Sequence, residues 1–443
     1  MSALDSLIDP LILARAVHFA ATILTAGVVF FFVFVAAPAM PERDPGGVAV
    51  FRRRLAAIAW IGLALAVISA AAWLLVTAQS ISGQPFAEVL SQGTVWTVLT
   101  QTDFGKDWLL RFVVAAVLAA TFPAFLPPRR NQSRGVAAAA AVLAVILAAA
   151  LVGSLAWAGH AAGASGAEGI IHPAADVLHL LAAAAWLGSL PLLALLLASA
   201  AREPALAAMA RIATLRFSTL GVVSVGTLLA TGIVASWYLV GSLPALIGTS
   251  YGRLLLAKIA LFLGMVAIAA VNRWYCTPRL MQAETAAPAL RRLRRNAAVE
   301  TLFGIFIVAI VAVLGTEPPA SHDHHPVYGA LPADAAFVHI HSDQGMADVV
   351  IMPGRPGTAQ ATIRLWDDDF DPLDAQQLTM TLTAPAAGSE SVTYPATLDS
   401  DGAWQVGRFA VSQPGNWTVR IDAVLAPHDH LVFNAPIAIE QEQ

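Results

Sequence analysis

Four of the eleven histidines lie in or beside long apolar segments, where a polar ring is costly to bury. His18 lies about two helical turns into the first of these segments. His160 ends the fourth segment, and His172 and His179 lie in the first turns of the fifth. Because ionisable groups inside a membrane segment usually mark a functional site, these four residues are candidate ligands of a metal ion.

The spacing of His172, Asp176 and His179 predicts that their side chains share one helix face. They stand at positions i, i+4 and i+7, and residues at these intervals lie above one another on a helix. Two imidazoles with a carboxylate between them suit a metal site, or a ligand set with an oriented outer partner. The alternative is a set of interfacial histidines that hydrogen-bond water, lipid headgroups or loop carbonyls.

The C-terminal part of the chain contains further histidines in metal-binding patterns. His322, His324 and His325 form a short cluster, and short His-rich tracts favour metals. In a strand, the two rings of a His-x-His pair project from one sheet face about 7 Å apart. Such pairs are formed by His339 with His341 and by His428 with His430.

The ligand types narrow the choice of metal. Imidazole with carboxylate suits Cu(II), Zn(II) or Ni(II), and copper binds most tightly in the usual affinity order. Cys276 is the only cysteine, which excludes an intrachain disulfide and a paired-thiolate site. The sequence has no P-loop, Gly-rich dinucleotide turn or nucleophile elbow. We therefore expect a metal-binding protein, with copper, zinc and nickel as candidate ions, that is neither an ATP-driven pump nor an enzyme and has no nucleic-acid partner.

The elements that position these residues are predicted to be membrane helices. Hydrophobic residues make up 58% of the chain and charged residues 12%, whereas soluble domains carry about a quarter charged residues. Most of the apolar segments reach the ~20 residues that cross a bilayer. The more polar segment 84–104 is predicted to be an interfacial loop or short helix. The apolar segments are 11–37, 56–78, 108–126, 135–158, 173–199, 215–240, 253–271 and 297–315.

The distribution of arginine predicts the orientation. Sixteen of the 25 basic residues lie in four alternate connections, after the first, third, fifth and seventh segments. Because basic loops remain cytoplasmic, both termini are expected outside the cytoplasm, and the first segment is expected to be a retained helix. The remaining membrane cations, Arg111, Arg253 and Lys258, are expected to snorkel to the outer interface. Glu300 is expected to pair with the arginine-rich loop before it.

A change of composition after Gly315 predicts a second domain. Residues 1–315 form the helical bundle, 316–334 a His- and Pro-rich linker, and 335–443 a domain with eight alternating stretches separated by turn residues. Short alternating strands of this kind favour an antiparallel β-sandwich. The predicted fold is therefore an all-α membrane bundle of about eight helices followed by a small all-β, immunoglobulin-like sandwich outside the membrane.

Particular stretches carry a resemblance to a known family. HLLAAAAWLGSLPLL at 179–193 and the long segment 216–262 resemble bacterial CopD-type copper resistance proteins, with the similarity centred on 172–275. The tail resembles the YtkA-like β-domain found beside some of them. The most specific pieces are His179 with Trp186-Leu187-Gly188, the run Tyr251-Gly252-Arg253-Leu254-Leu255 with Lys258, and Asn272-Arg273.

The resemblance implies copper movement across the bacterial inner membrane, usually uptake from the periplasm, with a CopC-like periplasmic carrier as a possible partner besides the copper ion and the lipid bilayer. Of the ligands, only His179 lies in a matched motif. We expect the β-domain and linker to pass copper to the membrane histidines. Two alternatives stay open: a membrane-anchored copper chaperone or assembly factor, and a b-type cytochrome in which His18 pairs with His179 or His172 around haem.

Overall fold

The structure is a computed structural model of the whole chain, and it divides into two compact units, Met1–His324 and His325–Gln443. Each unit is described by itself. The residues that the structure describes are 9–41, 47–82, 85–126, 133–158, 168–240, 242–282, 284–317, 332, 334–342, 345–367, 372–384, 391–426 and 429–439.

The first unit is built from helices. In chain order they are α1 Pro10–Phe30, α2 Gly47–Ser82, α3 Phe86–Ser91, α4 Thr94–Gln101, α5 Asp103–Phe125, α6 Arg134–Gly153, α7 Glu168–Trp186, α8 Leu190–Ala200, α9 Ala207–Val240, α10 Leu243–Gly248, α11 Ser250–Val271, α12 Thr277–Leu280 and α13 Ala286–Leu314. Segment 84–104, predicted to be a loop or short helix, contains the short helices α3 and α4.

Eight helical spans within the described residues are long and apolar enough to cross a membrane, which confirms the predicted bundle. Their outer surface is apolar: Trp237, for example, is 77% exposed and Ile233 is 69% exposed. In water such side chains would be costly, whereas lipid tails solvate them. The spans are Pro10–Ala39, Gly47–Ser80, Phe104–Phe125, Gly135–Trp157, Ile171–Ala200, Pro204–Val240, Ser250–Leu280 and Ala286–Leu314.

Helix starts follow local capping chemistry. The Asp9 carboxylate accepts the backbone N–H of Leu11 at 2.7 Å, with Pro10 as the first helical residue of α1. The Thr249 hydroxyl accepts the N–H of Gly252 at 2.9 Å and begins α11. These side chains satisfy backbone donors that have no partner inside the helix. Capping thereby fixes the residue at which each of these helices begins.

The first span is the central element of the bundle. α1 contacts α2, α6, α7 and α13, and its span is more buried than the other seven. α7 packs on α9, and α11 packs on α13. The helices that carry His18, His172, His179 and Lys258 therefore each pack against other helices of the bundle.

The second unit is an all-antiparallel β-domain, as predicted. Its strands follow the order β1-β2-β3-β6-β5-β4-β7-β8, and the edge strands β1 and β8 contact each other, which gives a barrel-like sandwich. Its core is formed by alternating inward side chains such as Val349, Ile363 and Ile421. The strands are β1 Ala336–Ser342, β2 Gly345–Met352, β3 Gly357–Trp366, β4 Gln377–Thr383, β5 Ser391–Leu398, β6 Trp404–Val411, β7 Gly415–Ala426 and β8 Asp429–Ile439.

Candidate metal site

His172 and Asp176 lie side by side in the first turns of α7. The His172 Nε2 and an Asp176 carboxylate oxygen are 3.6 Å apart. The His172 ring is buried and stacks on Tyr238 of α9, with ring centroids 5.3 Å apart. Its Nε2 has no hydrogen bond. The pair therefore offers a cation one imidazole nitrogen and one carboxylate from the same helix face.

His179 lies two turns further along α7 and is held by a neighbouring helix. Its Nδ1 and the Thr231 hydroxyl of α9 are hydrogen-bonded at 2.9 Å. The same hydroxyl donates to the Thr227 carbonyl within α9, so it accepts from the ring, and Nδ1 carries the proton. A ring held in this way is neutral and presents the lone pair of Nε2, which is the form of histidine that binds a metal.

The third helix at this site is α11. The Lys258 ammonium acts electrostatically on Asp176 and His179, and Tyr251 is close enough to interact with Asp176. Lys258 is half-buried and Tyr251 is buried. Lys258 therefore lies within electrostatic reach of this carboxylate, an interaction between helices that the expected snorkelling did not include.

Sequence reasoning missed Thr231 and Tyr238, although a signal for them is present. On α7 the polar pair His172 and His179 is separated by seven residues, and so are Thr231 and Tyr238 on α9. Residues seven apart share a helix face. The two pairs meet in antiparallel order, with His172 on Tyr238 and His179 on Thr231. Polar residues at matching intervals in two apolar segments therefore predict facing helices.

His18 lies in a different environment, formed by α2 and α5. Its Nδ1 donates to the Ala66 carbonyl at 3.0 Å, and its ring contacts Trp73 and Trp108 at centroid distances of 5.8 and 5.1 Å. The guanidinium of Arg15 lies over Trp73, and that of Arg111 lies over Trp108. Within the described chain, the hydrogen bonds and ring contacts of His18 do not reach His172 or His179, so His18 is separate from the α7 set.

Arg111 does not snorkel. It is 4% exposed, and its guanidinium donates to the hydroxyl and carbonyl of Ser154 at 3.1 and 2.6 Å. Glu300 likewise differs from expectation: the described hydrogen bond to its carboxylate comes from Asn272 rather than from the arginine-rich loop. Burial between helices gives both residues protein partners in place of water.

No group of three or more His, Cys, Asp or Glu side chains in the described parts of the chain is placed to hold one metal ion. His172 with Asp176 is one candidate ligand position, and His179, two turns further along α7, is another. His160 and the linker residues His322, His324 and His325 lie outside the described residues.

In the β-domain, His339 belongs to a buried polar network. Its Nδ1 is hydrogen-bonded to the Asp348 carboxylate, which lies directly opposite on β2 and also accepts Trp366 Nε1 at 3.1 Å. Asp348 is 1% exposed, whereas the His430 ring on β8 is exposed. His428 lies outside the described residues, and the His341 side chain is not described. His339 is thus held by Asp348, while His430 is open to a ligand.

Asp348→Ala is expected to destabilise the β-domain by about 2–4 kcal/mol, because it leaves His339 and the Trp366 N–H without their buried acceptor. The full chain is unfolded by heat or denaturant, and the unfolding of the β-domain is monitored by its susceptibility to proteolysis. Asp422→Ala is the matched control. Asp422 pairs with Arg420 on an exposed surface, and such pairs contribute about 0–1 kcal/mol. Equal effects of the two substitutions would contradict the prediction.

Long apolar helices that enclose the buried His172 and the half-buried Asp176, His179 and Lys258 define a multi-pass membrane protein with a candidate cation site. Comparison with known proteins identifies the family. The family model for copper resistance protein D matches residues 210–314, and the model for the copper resistance protein D-like N-terminal domain matches residues 4–170. The chain belongs to the copper resistance protein D family.

Three relatives support this assignment. Copper resistance protein D of Pseudomonas syringae pv. tomato is 32% identical over 63% of this chain and 87% of its own length. Copper transport protein CutJ of Bacillus subtilis is 26% identical over 95% of this chain and 72% of its own. Inner membrane protein YebZ of Escherichia coli is 31% identical over 56% and 83%. No solved structure matches.

The comparisons also show how the family similarity is distributed. The chain is a multi-pass protein of the inner membrane, and the match to CutJ extends past the bundle into the β-domain because it spans 95% of the chain. His18 lies in the N-terminal match and Lys258 in the C-terminal match. His172, Asp176 and His179 lie in the stretch between the two.

Proposed function

We propose that this protein carries copper across the inner membrane, from the periplasm to the cytoplasm, through the His172, Asp176 and His179 positions of α7. The observation that carries the proposal is the antiparallel match of α7 and α9, which places a His–Asp pair and an oriented histidine in series inside an apolar bundle. The family assignment to copper resistance proteins supports copper as the transported ion.

The arrangement favours passage over storage. An ion that crosses a membrane must bind well enough to leave water and weakly enough to leave each position. The described positions offer one or two protein ligands each, where a closed structural site offers four. Copper at His172 and Asp176 would displace the Lys258 charge from Asp176, and His179 would then accept the ion at its free nitrogen.

His18 is not assigned to the copper path. Arg15 and Arg111 lie on the two tryptophans that contact it, and Arg111 acts electrostatically on the ring. Two guanidinium groups in a low-dielectric bundle repel a copper cation. The same separation disfavours the cytochrome alternative, because the described surroundings of His18 contain no second histidine to complete a haem pair.

The β-domain is assigned the capture of copper before the bundle. His430 is exposed on the last strand, and the first and last strands contact each other, so His339 and His430 belong to neighbouring edge strands. A periplasmic CopC-like carrier is the proposed donor. The arginine distribution supports the orientation with both termini in the periplasm. The chain is proposed to transport copper without catalysing a reaction.

The test is copper accumulation in bacterial cells that express the full chain, measured by mass spectrometry. Uptake raises cellular copper above the vector control, and export would lower it and overturn the direction. The double variant His172→Ala, Asp176→Asn is expected to return accumulation to the control value. Ser236→Ala is the matched control variant and is expected to leave accumulation unchanged, because the Ser236 hydroxyl donates to the Gly232 carbonyl of its own helix. Stoichiometric iron with a Soret band in the purified protein would support the cytochrome instead.

A further inference from the structure

A buried acid lies at the end of the bundle opposite the histidines. Glu300 is 2% exposed on α13. The Asn272 amide donates to its carboxylate at 3.0 Å, and the Asn272 carbonyl accepts the Asn296 amide at 2.6 Å. Asn272 follows the last residue of α11, whereas Lys258 lies near the first turns of that helix. Glu300 and the Asp176 site are therefore at opposite ends of α11.

One face of α11 connects these two ends. Tyr251, Lys258, Met265 and Asn272 are each separated by seven residues, so they lie on the same face about 10 Å apart. Tyr251 and Met265 are buried, and the other two are half-buried. The face begins beside Asp176 and ends at Glu300. It supplies polar and thioether groups in the inner half of the bundle, where the apolar helices otherwise offer few.

The Glu300 carboxylate has no ion-pair partner among the described residues. α8, which packs on α13, has no ionisable side chain. Arg273 donates to Ser218, and Arg279 lies over Tyr275. The other charged or titratable groups on α13 and on the elements packed against it are Arg15 and His18 on α1, Tyr251, Arg253 and Lys258 on α11, Cys276 just before α12, and Arg291, Arg292, Arg294 and Arg295 on α13 itself.

A lone carboxylate of this kind suits a proton better than a metal ion. Metal sites need several ligands, and no second carboxylate, histidine or cysteine is grouped with Glu300 in the described chain. The nearest amide presents its N–H, not its oxygen. An unpaired charge in a dry bundle is costly, and binding a proton removes that cost.

We propose that Glu300 is a proton-binding site at the inner end of the copper path, protonated while the path is empty and deprotonated when copper enters it. The loss of the proton when copper enters rests on the proposed copper transport, whereas the protonation of Glu300 in the empty protein does not. The carboxyl group takes one proton from water on the inner side and returns it there, so no other reactant is needed. Copper bound on the α11 face supplies the positive charge that replaces the proton.

Infrared spectroscopy of the purified full-length protein tests the resting state without copper. We expect a carboxylic-acid band near neutral pH that shifts in heavy water and is absent in Glu300→Gln. Glu284→Gln changes an exposed acid in the loop before α13 and is expected to leave the band unchanged. Absence of the band from the wild type, or its persistence in Glu300→Gln, would overturn the proposal.

Addition of copper tests the exchange. The band is expected to disappear in the wild type and in Glu284→Gln, with release of about one more proton per chain than Glu300→Gln releases. If Glu300→Gln folds poorly, Glu300→Asp is used instead. This variant keeps a carboxyl group and is expected to retain the copper-sensitive band. If copper leaves the band unchanged while copper still accumulates in cells, the exchange of a proton for copper at Glu300 is refuted but copper transport is not. A resting band without copper accumulation refutes the transport function and leaves the proton site standing.

Discussion

His179→Ala is expected to lower copper uptake by roughly 100-fold or more, and Thr231→Val by about tenfold. Loss of an outer-shell partner typically costs a metal site about 10–100-fold, and loss of the ligand itself should exceed that range. Thr231 holds the His179 ring through Nδ1, so valine removes the bond while keeping the shape of the side chain. Initial rates of copper uptake in cells, normalised to the amount of folded protein, measure both effects.

Thr227→Val is the matched control for this series. Thr227 lies one turn from Thr231 on α9, is half-buried, and its hydroxyl donates to the Val223 carbonyl of its own helix rather than to His179. We expect uptake within about twofold of the parent, since substitutions away from the site usually change free energies by less than 0.5 kcal/mol. The His179 role is refuted if His179→Ala and Thr227→Val transport copper at the same rate.

Gly188→Ala is expected to destabilise the helical bundle. A Cβ atom at this position would lie 2.3 Å from the Ile23 carbonyl oxygen of α1 and 2.6 Å from the Ala184 carbonyl oxygen. Both are backbone atoms, so relief requires a helix to move. Overpacking of this kind costs about 1–3 kcal/mol and sometimes more. The measurements are the thermal unfolding midpoint and the monodisperse yield in detergent.

The contact is reciprocal, which strengthens the prediction. A Cβ atom at Gly27 would lie 2.3 Å from the Gly188 backbone, and the Ser189 hydroxyl donates to the Gly27 carbonyl at 3.3 Å. Gly226→Ala on α9 is the control, because a Cβ atom there meets nothing within 4 Å. Alanine at that position is expected to be neutral or stabilising by about 0.5–1 kcal/mol. A Gly188→Ala protein as stable as Gly226→Ala would show that α1 and α7 do not pack this closely.

The local patterns of the sequence predicted the architecture well. The eight apolar segments correspond to the membrane spans, and the eight alternating stretches correspond to β1–β8. The resemblance based on segment 216–262 and its motifs agrees with the family assignment. These features depend on hydrophobicity and periodicity within one segment, which each stretch of sequence shows without its neighbours.

The partners of each polar side chain were harder to predict. The sequence placed His18 among the membrane ligands, but its position beside Trp73 and Trp108 depends on residues 55 and 90 positions away. Arg111 and Glu300 were expected at interfaces, and packing buries both. In a bilayer every helix exposes an apolar surface, so hydrophobicity alone does not tell which face meets which neighbour.

The sequence by itself determined the membrane class, the β-domain and the shared face of His172, Asp176 and His179, because the periods of helix and strand are local. Only the tertiary structure decided that Thr231 orients His179, that Lys258 lies within electrostatic reach of Asp176 and that Asn272 donates a hydrogen bond to Glu300. These contacts join helices far apart in the chain. They exist because close backbone packing, as between Gly27 and Gly188, fixes how the helices are turned toward one another.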